Sequence, residues 1–274
     1  MICSTMMRSA LTIAALTVAG TAGAADGATS FGVGVDYSSG KYGGDIATEI
    51  LSIPVSTRVT RGNWSFRASL PWIRVSGDPD VLPTLGAVDN LNPLGRGRSG
   101  IIGAPPEDQG QAENGTASGL GDLTLGVAYS VPTGGALGLD LGIHAKIATA
   151  DEDQALGTGA NDYGLSVDLH RDFGGTLLFG GVGHTWLGTS EFIDVDSIDT
   201  GNLGISRRIG RARVGTLYEH RSATISSLEP RRDLVGFVNL PSAGNGRLQL
   251  YLSHGLSDSS PDWGIGVAIS SGHR

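Results

Sequence analysis

The chain has 274 residues, 27 of them acidic and 19 basic, and a formal net charge of −8. Nucleic-acid binding requires clustered Lys and Arg, so this acidic composition excludes a nucleic-acid partner. The single cysteine, Cys3, lies in an N-terminal segment that we expect to be removed, so the remaining chain has no disulfide and no thiol chemistry.

The first 24 residues have the organisation of a secretory signal peptide. Arg8 is the only charge before an apolar run at 10–19, and Ala22-Gly23-Ala24 follows as a small-residue cleavage site. The apolar run is too short for a transmembrane helix, which needs roughly 20 residues. We therefore expect cleavage after Ala24 or Ala25, an exported product, and one mature domain over residues 25–274.

The rest of the chain alternates apolar and polar residues between short turns and longer polar loops. At 123–131, for example, every second residue is leucine, valine or tyrosine. Successive strand residues face opposite sides, so each segment has one apolar and one polar face. Around a whole chain this pattern is typical of an antiparallel transmembrane β-barrel. Twelve strands are predicted, near 30–38, 46–60, 63–76, 120–131, 136–149, 161–172, 175–188, 199–209, 212–223, 232–240, 246–256 and 262–270.

The connections alternate between short and long, which predicts the orientation of the barrel. Short turns belong to the periplasmic rim and long loops to the extracellular rim. An even strand count then places both termini in the periplasm. The segment 262–269 resembles the C-terminal signal by which outer-membrane barrels are recognised for assembly, with Ile269 in place of the usual aromatic residue.

The second and third strands allow a prediction of register. A two-residue turn at Arg61-Gly62 would pair Val59 with Trp64, and both would face outward. Trp64 and Trp72 would lie roughly 20 Å apart along the barrel axis, near the spacing of two aromatic girdles.

Two features fit this pattern poorly. Pro54 and Pro71 fall inside predicted strands, where proline is usually confined to edges or bulges. The seventh strand, near 175–188, has no clean alternation.

Several short motifs in the second half resemble a known family. Gly119-Leu120-Gly121-Asp122 opens an amphipathic strand, Lys146 closes a hairpin, and Leu156-Gly157-Thr158-Gly159 and Asp162 follow. These residues resemble the outer-membrane transporter-like family named for the meta-pathway of phenol degradation. The resemblance implies an outer-membrane channel that passes small, often aromatic, molecules.

The charged residues that alternation places on the inner face are the candidate site. They would line a polar lumen and set its selectivity for solutes or ions. The alternative is that they pair with one another across a filled interior, because side chains can fill small barrels. Both signs of charge are present, so no strong preference for anions or cations is predicted. The set comprises Arg58, Arg67, Asp122, Asp140, His144, Lys146, Asp168, His170, Glu219 and Arg221.

The longest connection, at 77–119, is the candidate constriction. A loop of this length is usually functional or disordered. We expect it to fold into the mouth and narrow it, with Arg96 and Arg98 as a charged lip; a mobile surface loop is the alternative. Residues 95–100 match the pattern G-x-G-x-x-G, but no buried strand precedes them and no helix follows, so a phosphate site is not predicted.

The sequence thus predicts an outer-membrane barrel through which small solutes, aromatic or hydrophobic compounds among them, diffuse passively. The expected partners are outer-membrane lipid, lipopolysaccharide, the barrel-assembly machinery and the solute. No cofactor and no metal are expected. A structural or adhesive barrel that acts through its extracellular loops is one alternative.

A barrel enzyme that acts on lipids is the other alternative. It would need a serine and a histidine within hydrogen-bond reach on one outward face. Ser253-His254 does not qualify, because adjacent strand residues point to opposite faces, and the sequence has no G-x-S-x-G elbow. His184 and His220 can face lipid. A catalytic pair between one of them and a serine of a neighbouring strand therefore stays open.

Overall fold

The computed structural model describes residues 27–88, 115–191, 193–242 and 246–273, and the predicted signal peptide lies outside them. No helix long and apolar enough to cross a membrane occurs among these residues. The strands in chain order are β1 (Ala28–Gly40), β2 (Thr48–Arg61), β3 (Trp64–Gly77), β4 (Val81–Leu82), β5 (Gly86–Ala87), β6 (Gly115–Leu120), β7 (Leu123–Val131), β8 (Leu137–Ile147), β9 (Asp162–Phe173), β10 (Thr176–Trp186), β11 (Ile198–Ile209), β12 (Ala212–Arg221), β13 (Arg231–Pro241), β14 (Arg247–Gly255) and β15 (Trp263–His273).

Over the described residues the long strands close into a twelve-stranded antiparallel barrel, as predicted. Neighbours in sequence pair with one another, and β1 pairs with β15 to close the wall. β6 and β7 form one wall strand, since both pair with β3, while β4 and β5 form a separate small hairpin. Short turns lie at one rim and longer loops at the other, which we name the periplasmic and extracellular rims.

The alternation in the sequence becomes an apolar outer face and a mostly polar inner face. In β9, Tyr163, Leu165 and Val167 are exposed on the outside, whereas Asp162 and Gly164 are buried inside. An exposed apolar band outside a closed strand wall is the surface that lipid requires, because closure leaves no backbone group unpaired at an edge.

Aromatic residues lie on the outer face near both rims. Near the periplasmic rim the rings of Trp64 and Tyr129 are 4.8 Å apart between centroids, and near the extracellular rim those of Tyr37 and Trp263 are 5.3 Å apart. Trp72 faces outward eight residues beyond Trp64 in β3. This arrangement is typical of the two aromatic girdles of a membrane barrel.

The predicted pairing of Val59 with Trp64 is wrong by two residues. Trp64 pairs with Arg61, and Val59 pairs with Phe66. The turn is Gly62-Asn63, where Gly62 takes a positive φ of 59° that a tight two-residue hairpin needs. A shift of two residues preserves the side-chain face, so the outward assignment still holds.

The two prolines lie opposite each other at breaks in the strand pairing. Pro54 pairs with Pro71 between β2 and β3. The β1–β2 pairing is interrupted opposite Pro54, at residues 34–35. Opposite Pro71, β3 passes from β7 to β6 across a bulge at 121–123. Because proline has no N–H to donate, breaks in the ladder are where a barrel wall accommodates it.

The seventh predicted strand, β10, lacked alternation because it is apolar on both faces. Leu177 and Phe179 are buried on the inner face, whereas Leu178 and Val182 are exposed on the outer face. The interior of the barrel therefore carries an apolar region as well as charge.

Glycines on the inner face make room for large neighbouring side chains. The ring of His170 lies over Gly138, that of His144 over Gly164, and that of Tyr251 over Gly266. A Cβ atom at Gly138 would lie only 2.0 Å from the His170 ring. Glycine on one strand is thus matched to a ring on a neighbouring strand.

Candidate pore and extracellular plug

One group of buried charges lies on the inner face near the extracellular ends of β7, β8 and β9. Lys146 Nζ is 2.9 Å from Asp162 Oδ2 and 3.4 Å from Asp122 Oδ2, and it donates a hydrogen bond of 2.9 Å to Thr158 Oγ1. Both carboxylates are almost completely buried, as is the lysine. The lysine is therefore the counter-charge that two desolvated acids share.

This group, the Lys146 cluster (Lys146, Asp122, Asp162 and Thr158), holds the loop between β8 and β9. Asp122 Oδ1 accepts hydrogen bonds of 3.0 Å from the backbone N–H groups of Thr149 and Ala150. Leu156, at the tip of the same loop, is buried against apolar side chains of the mouth. The cluster thus folds the loop inward over the barrel.

A second group of buried charges lies on β12 and β13, at the same rim. Arg231 Nε donates a hydrogen bond of 2.7 Å to Asp233 Oδ2, and Asp233 lies opposite Glu219 in the strand pairing. Arg221 lies opposite Arg231 and donates from its guanidinium to the carbonyls of Thr84, at 2.9 Å, and Leu85. These four side chains line a small cavity.

The bonds of Arg221 show that part of the longest loop crosses the mouth. Residues 78–88 leave β3, yet their carbonyls are bound by β12, the sixth wall strand from β3 and so on the opposite side of the barrel. Thr224 Oγ1 adds a hydrogen bond of 3.3 Å to the carbonyl of Ala87. We call residues 78–88 the plug.

Apolar packing fastens the plug to the other extracellular loops. Val81 and Leu82 are fully buried. Val81 belongs to a cluster with Tyr42 and Leu156, and Leu82 to one with Ile193. Burial raises the pKa of Tyr42 to about 12, so its hydroxyl stays protonated and donates a hydrogen bond of 2.6 Å to Ser38.

The described residues of the 77–119 loop that cross the mouth are those at its beginning, and the predicted constriction stays a prediction. Arg96 and Arg98, expected to form its charged lip, lie outside the described residues.

A lower polar group lies about three residues from the periplasmic ends of several strands. Asp140 accepts a hydrogen bond of 2.5 Å from Ser130, and its second oxygen is 3.7 Å from Nδ1 of His170. Arg58 interacts electrostatically with the same carboxylate from β2. Arg67 lies opposite Arg58 in the strand pairing, and Asp168 lies opposite Asp140.

All ten residues of the candidate set lie on the inner face of the wall, in the three groups above or beside them. His144, the remaining one, shares a bond of 3.1 Å with Thr185 Oγ1. Seven of the ten are buried, and Arg67, His144 and Asp168 are partly exposed. Tight burial and mutual pairing are the features expected if side chains fill part of the interior.

Other inner-face residues were missed by the sequence reasoning. Asp36 of β1 accepts a hydrogen bond from the Tyr251 hydroxyl, and Arg213 of β12 bonds Ser206 at 3.0 Å. Arg231 lies one residue before the predicted tenth strand, and Asp233 is the second residue of that strand. The regular alternation within these strands is the sequence signal that places these side chains on the inner face.

The largest inner-face feature that the sequence did not predict is an apolar patch on β10 and β12–β14. The rings of Phe179 and Phe237 are 6.4 Å apart between centroids. Arg67 lies on β3, the wall strand opposite β12, at a similar distance from the periplasmic rim. One wall of the interior is therefore apolar, and the facing wall carries Arg67. The patch comprises Leu177, Phe179, Leu217, Val235, Phe237 and Tyr251.

The wall separates Ser253 from the histidines considered for catalysis. Ser253 is buried on the inner face, whereas His254 is exposed on the outer face. His184 lies on the outer face, where it contacts Asp199 at 2.7 Å, and His220 lies on the same face.

No family model and no curated protein matches the chain. Among solved structures, the chain is similar to the COG4313 outer membrane channel from Pseudomonas putida F1, with 14% identity, a TM-score of 0.67, and 92% of this chain and 97% of that chain covered. It also matches the CymD monoaromatic hydrocarbon channel (10% identity, TM-score 0.43, 90% and 87% covered) and an anion-selective porin from Comamonas acidovorans (12%, 0.38, 90% and 100%).

At such low identity the first similarity shows the fold alone, which is that of an outer-membrane β-barrel. The resemblance to the meta-pathway family stays a prediction.

Proposed function

We propose that the protein is an exported outer-membrane channel through which small solutes diffuse passively, and that the plug closes it in the conformation described above. The observation that carries this proposal is the crossing of the mouth by residues 78–88, held by Arg221 on the opposite wall. A loop that crosses the mouth and is held there by hydrogen bonds can serve as the gate of a conduit. Signal cleavage after Ala24 or Ala25 belongs to the same proposal.

The interior suggests which solutes pass. Below the plug, the apolar patch faces the polar wall that carries Arg67. A solute with an apolar ring and a polar edge satisfies both walls at once, whereas an ion or an alkane satisfies only one. We propose small aromatic or similarly amphipathic compounds as the class.

Passage rather than catalysis is the role we propose. The separation of Ser253 from His254 by the wall supports this choice, because an enzyme acting on lipid needs both groups on one face.

We further propose that the apolar outer band binds outer-membrane lipid and lipopolysaccharide. β15 is the proposed signal for the assembly machinery, since Ile265, Val267 and Ile269 alternate on its outer face.

Planar-bilayer conductance of the mature chain tests the channel proposal. We expect rare, brief openings for the native chain and frequent ohmic steps for Arg221→Ala, because this change removes the bonds that hold the plug. Arg74→Ala is the matched control: Arg74 also lies near the extracellular rim but is exposed on the outer face.

Heat-modifiable migration on gels verifies that each variant is folded. A folded Arg221→Ala barrel that stays electrically silent would overturn the channel proposal.

A further inference from the structure

The outer face of the barrel carries a concentration of arginine at one sector of the periplasmic rim. Arg171 of β9 and Arg207 of β11 point outward, and Arg211 lies in the turn that follows β11. All three are exposed. The whole chain has a net charge of −8, so this sector opposes the overall charge of the protein.

The strand register places Arg171 and Arg207 on neighbouring parts of the same outer surface. The guanidinium carbon of Arg171 lies 4.9 Å from the centre of the Phe173 ring, so the side chain is bent toward the periplasmic turn. Phe173 pairs with Thr176 of β10, and Thr176 pairs on its other side with Arg207. One wall strand, β10, lies between Phe173 and Arg207, so two strand spacings of roughly 10 Å in total separate them. The long arginine side chains can therefore converge above the Thr176 hydroxyl.

On the described part of the outer face, no acidic side chain lies next to these arginines. Among the described residues, none that faces outward in the periplasmic halves of β9–β12 is acidic. The nearby Asp172 faces inward, where it accepts a hydrogen bond from the backbone N–H of Gly175 and lies 3.5 Å from Arg213. The outward arginines are thus not neutralised by the protein.

Apolar side chains continue the site toward the middle of the membrane. Leu178 and Ile205 are exposed beside the two arginines, on the side away from the periplasmic turns. The sector therefore offers cationic groups at headgroup level with an apolar surface directly beneath them, which matches a lipid rather than a soluble anion.

We propose that Arg171, Thr176 and Arg207, with Arg211 at the turn, form a binding site for the phosphate of an anionic phospholipid in the periplasmic leaflet. The two guanidinium groups bind the phosphate oxygens in charge-assisted hydrogen bonds, the threonine hydroxyl donates a third, and the acyl chains lie on the apolar surface. The site does not depend on whether the barrel conducts.

Native mass spectrometry of the refolded mature chain with phosphatidylglycerol or phosphatidylcholine tests the site. We expect the native chain to retain phosphatidylglycerol in roughly tenfold preference and the double variant Arg171→Gln, Arg207→Gln to lose most of that preference. Arg61→Gln is the matched control, since Arg61 is an exposed periplasmic-rim arginine on β2, away from this sector.

The variant Arg171→Lys, Arg207→Lys should keep part of the preference, because it keeps the charge but not the paired donors. Equal retention of both lipids by the native chain would overturn the proposal. So would an unchanged preference in the glutamine variant, with folding verified by heat-modifiable migration.

Discussion

Individual buried charges in this barrel hold loops in place. Lys146 is the clearest case, because it contacts two buried carboxylates, and one of these binds the backbone of the loop between β8 and β9. Replacing the lysine leaves Asp122 and Asp162 buried without a counter-charge, which is far costlier than losing a surface ion pair. A lysine that is exposed on the surface has no such role, because its replacement leaves no buried carboxylate without a counter-charge.

We therefore predict that Lys146→Met lowers the free energy of unfolding by about 3–5 kcal/mol. Urea unfolding in lipid vesicles, followed by tryptophan fluorescence, measures the change. Lys41→Met is the control, because Lys41 is exposed in a loop at the same rim. A loss below about 1 kcal/mol would show that water screens the cluster.

At the scale of strands, pairing depends on glycines matched to rings. Gly138 of β8 lies beneath the His170 ring of β9, and the two residues are paired in the register. Pro54 and Pro71 show the complementary case, in which residues that cannot donate lie at interruptions of the ladder.

Gly138→Ala should destabilise the barrel by about 1–3 kcal/mol, because the new Cβ atom overlaps the His170 ring and forces the strands apart. Gly236→Ala should be neutral or slightly stabilising, since Gly236 has open space around it. The same urea assay compares the free energies of unfolding of the two variants. Identical curves would mean that the ring moves aside without cost.

At the scale of the whole molecule, the proposed channel would take its ion selectivity from the distribution of charge across the lumen. Arg67 is partly exposed on the inner face and lies opposite the apolar patch. In the Arg221→Ala background, Arg67→Glu should shift the reversal potential in a salt gradient toward cation selectivity, and adding Arg58→Glu should extend the shift.

Arg74→Glu serves as the control for selectivity, because it makes the same charge change on the outer face of β3. If Arg67→Glu and Arg74→Glu have equal reversal potentials, Arg67 does not face the conducting path.

Much of the wall could be predicted from the sequence. The two-residue period separates outer from inner side chains locally, so the strand count and the inward position of Lys146 needed no tertiary information. The register of β2 and β3 was predicted two residues off, because the period constrains the face but not the turn that sets the pairing. Alternation does not identify the inner face of β10, because this strand is apolar on both faces.

By itself, therefore, the sequence determined which residues face lipid and which face the interior, because that choice repeats every two residues along the chain. Only the tertiary structure decided what the inner residues contact. Arg221 and Leu85 are 136 positions apart in the chain, and closure of the barrel makes them neighbours across the mouth. Such a contact depends on the curvature of the whole wall, which leaves no local pattern in the sequence.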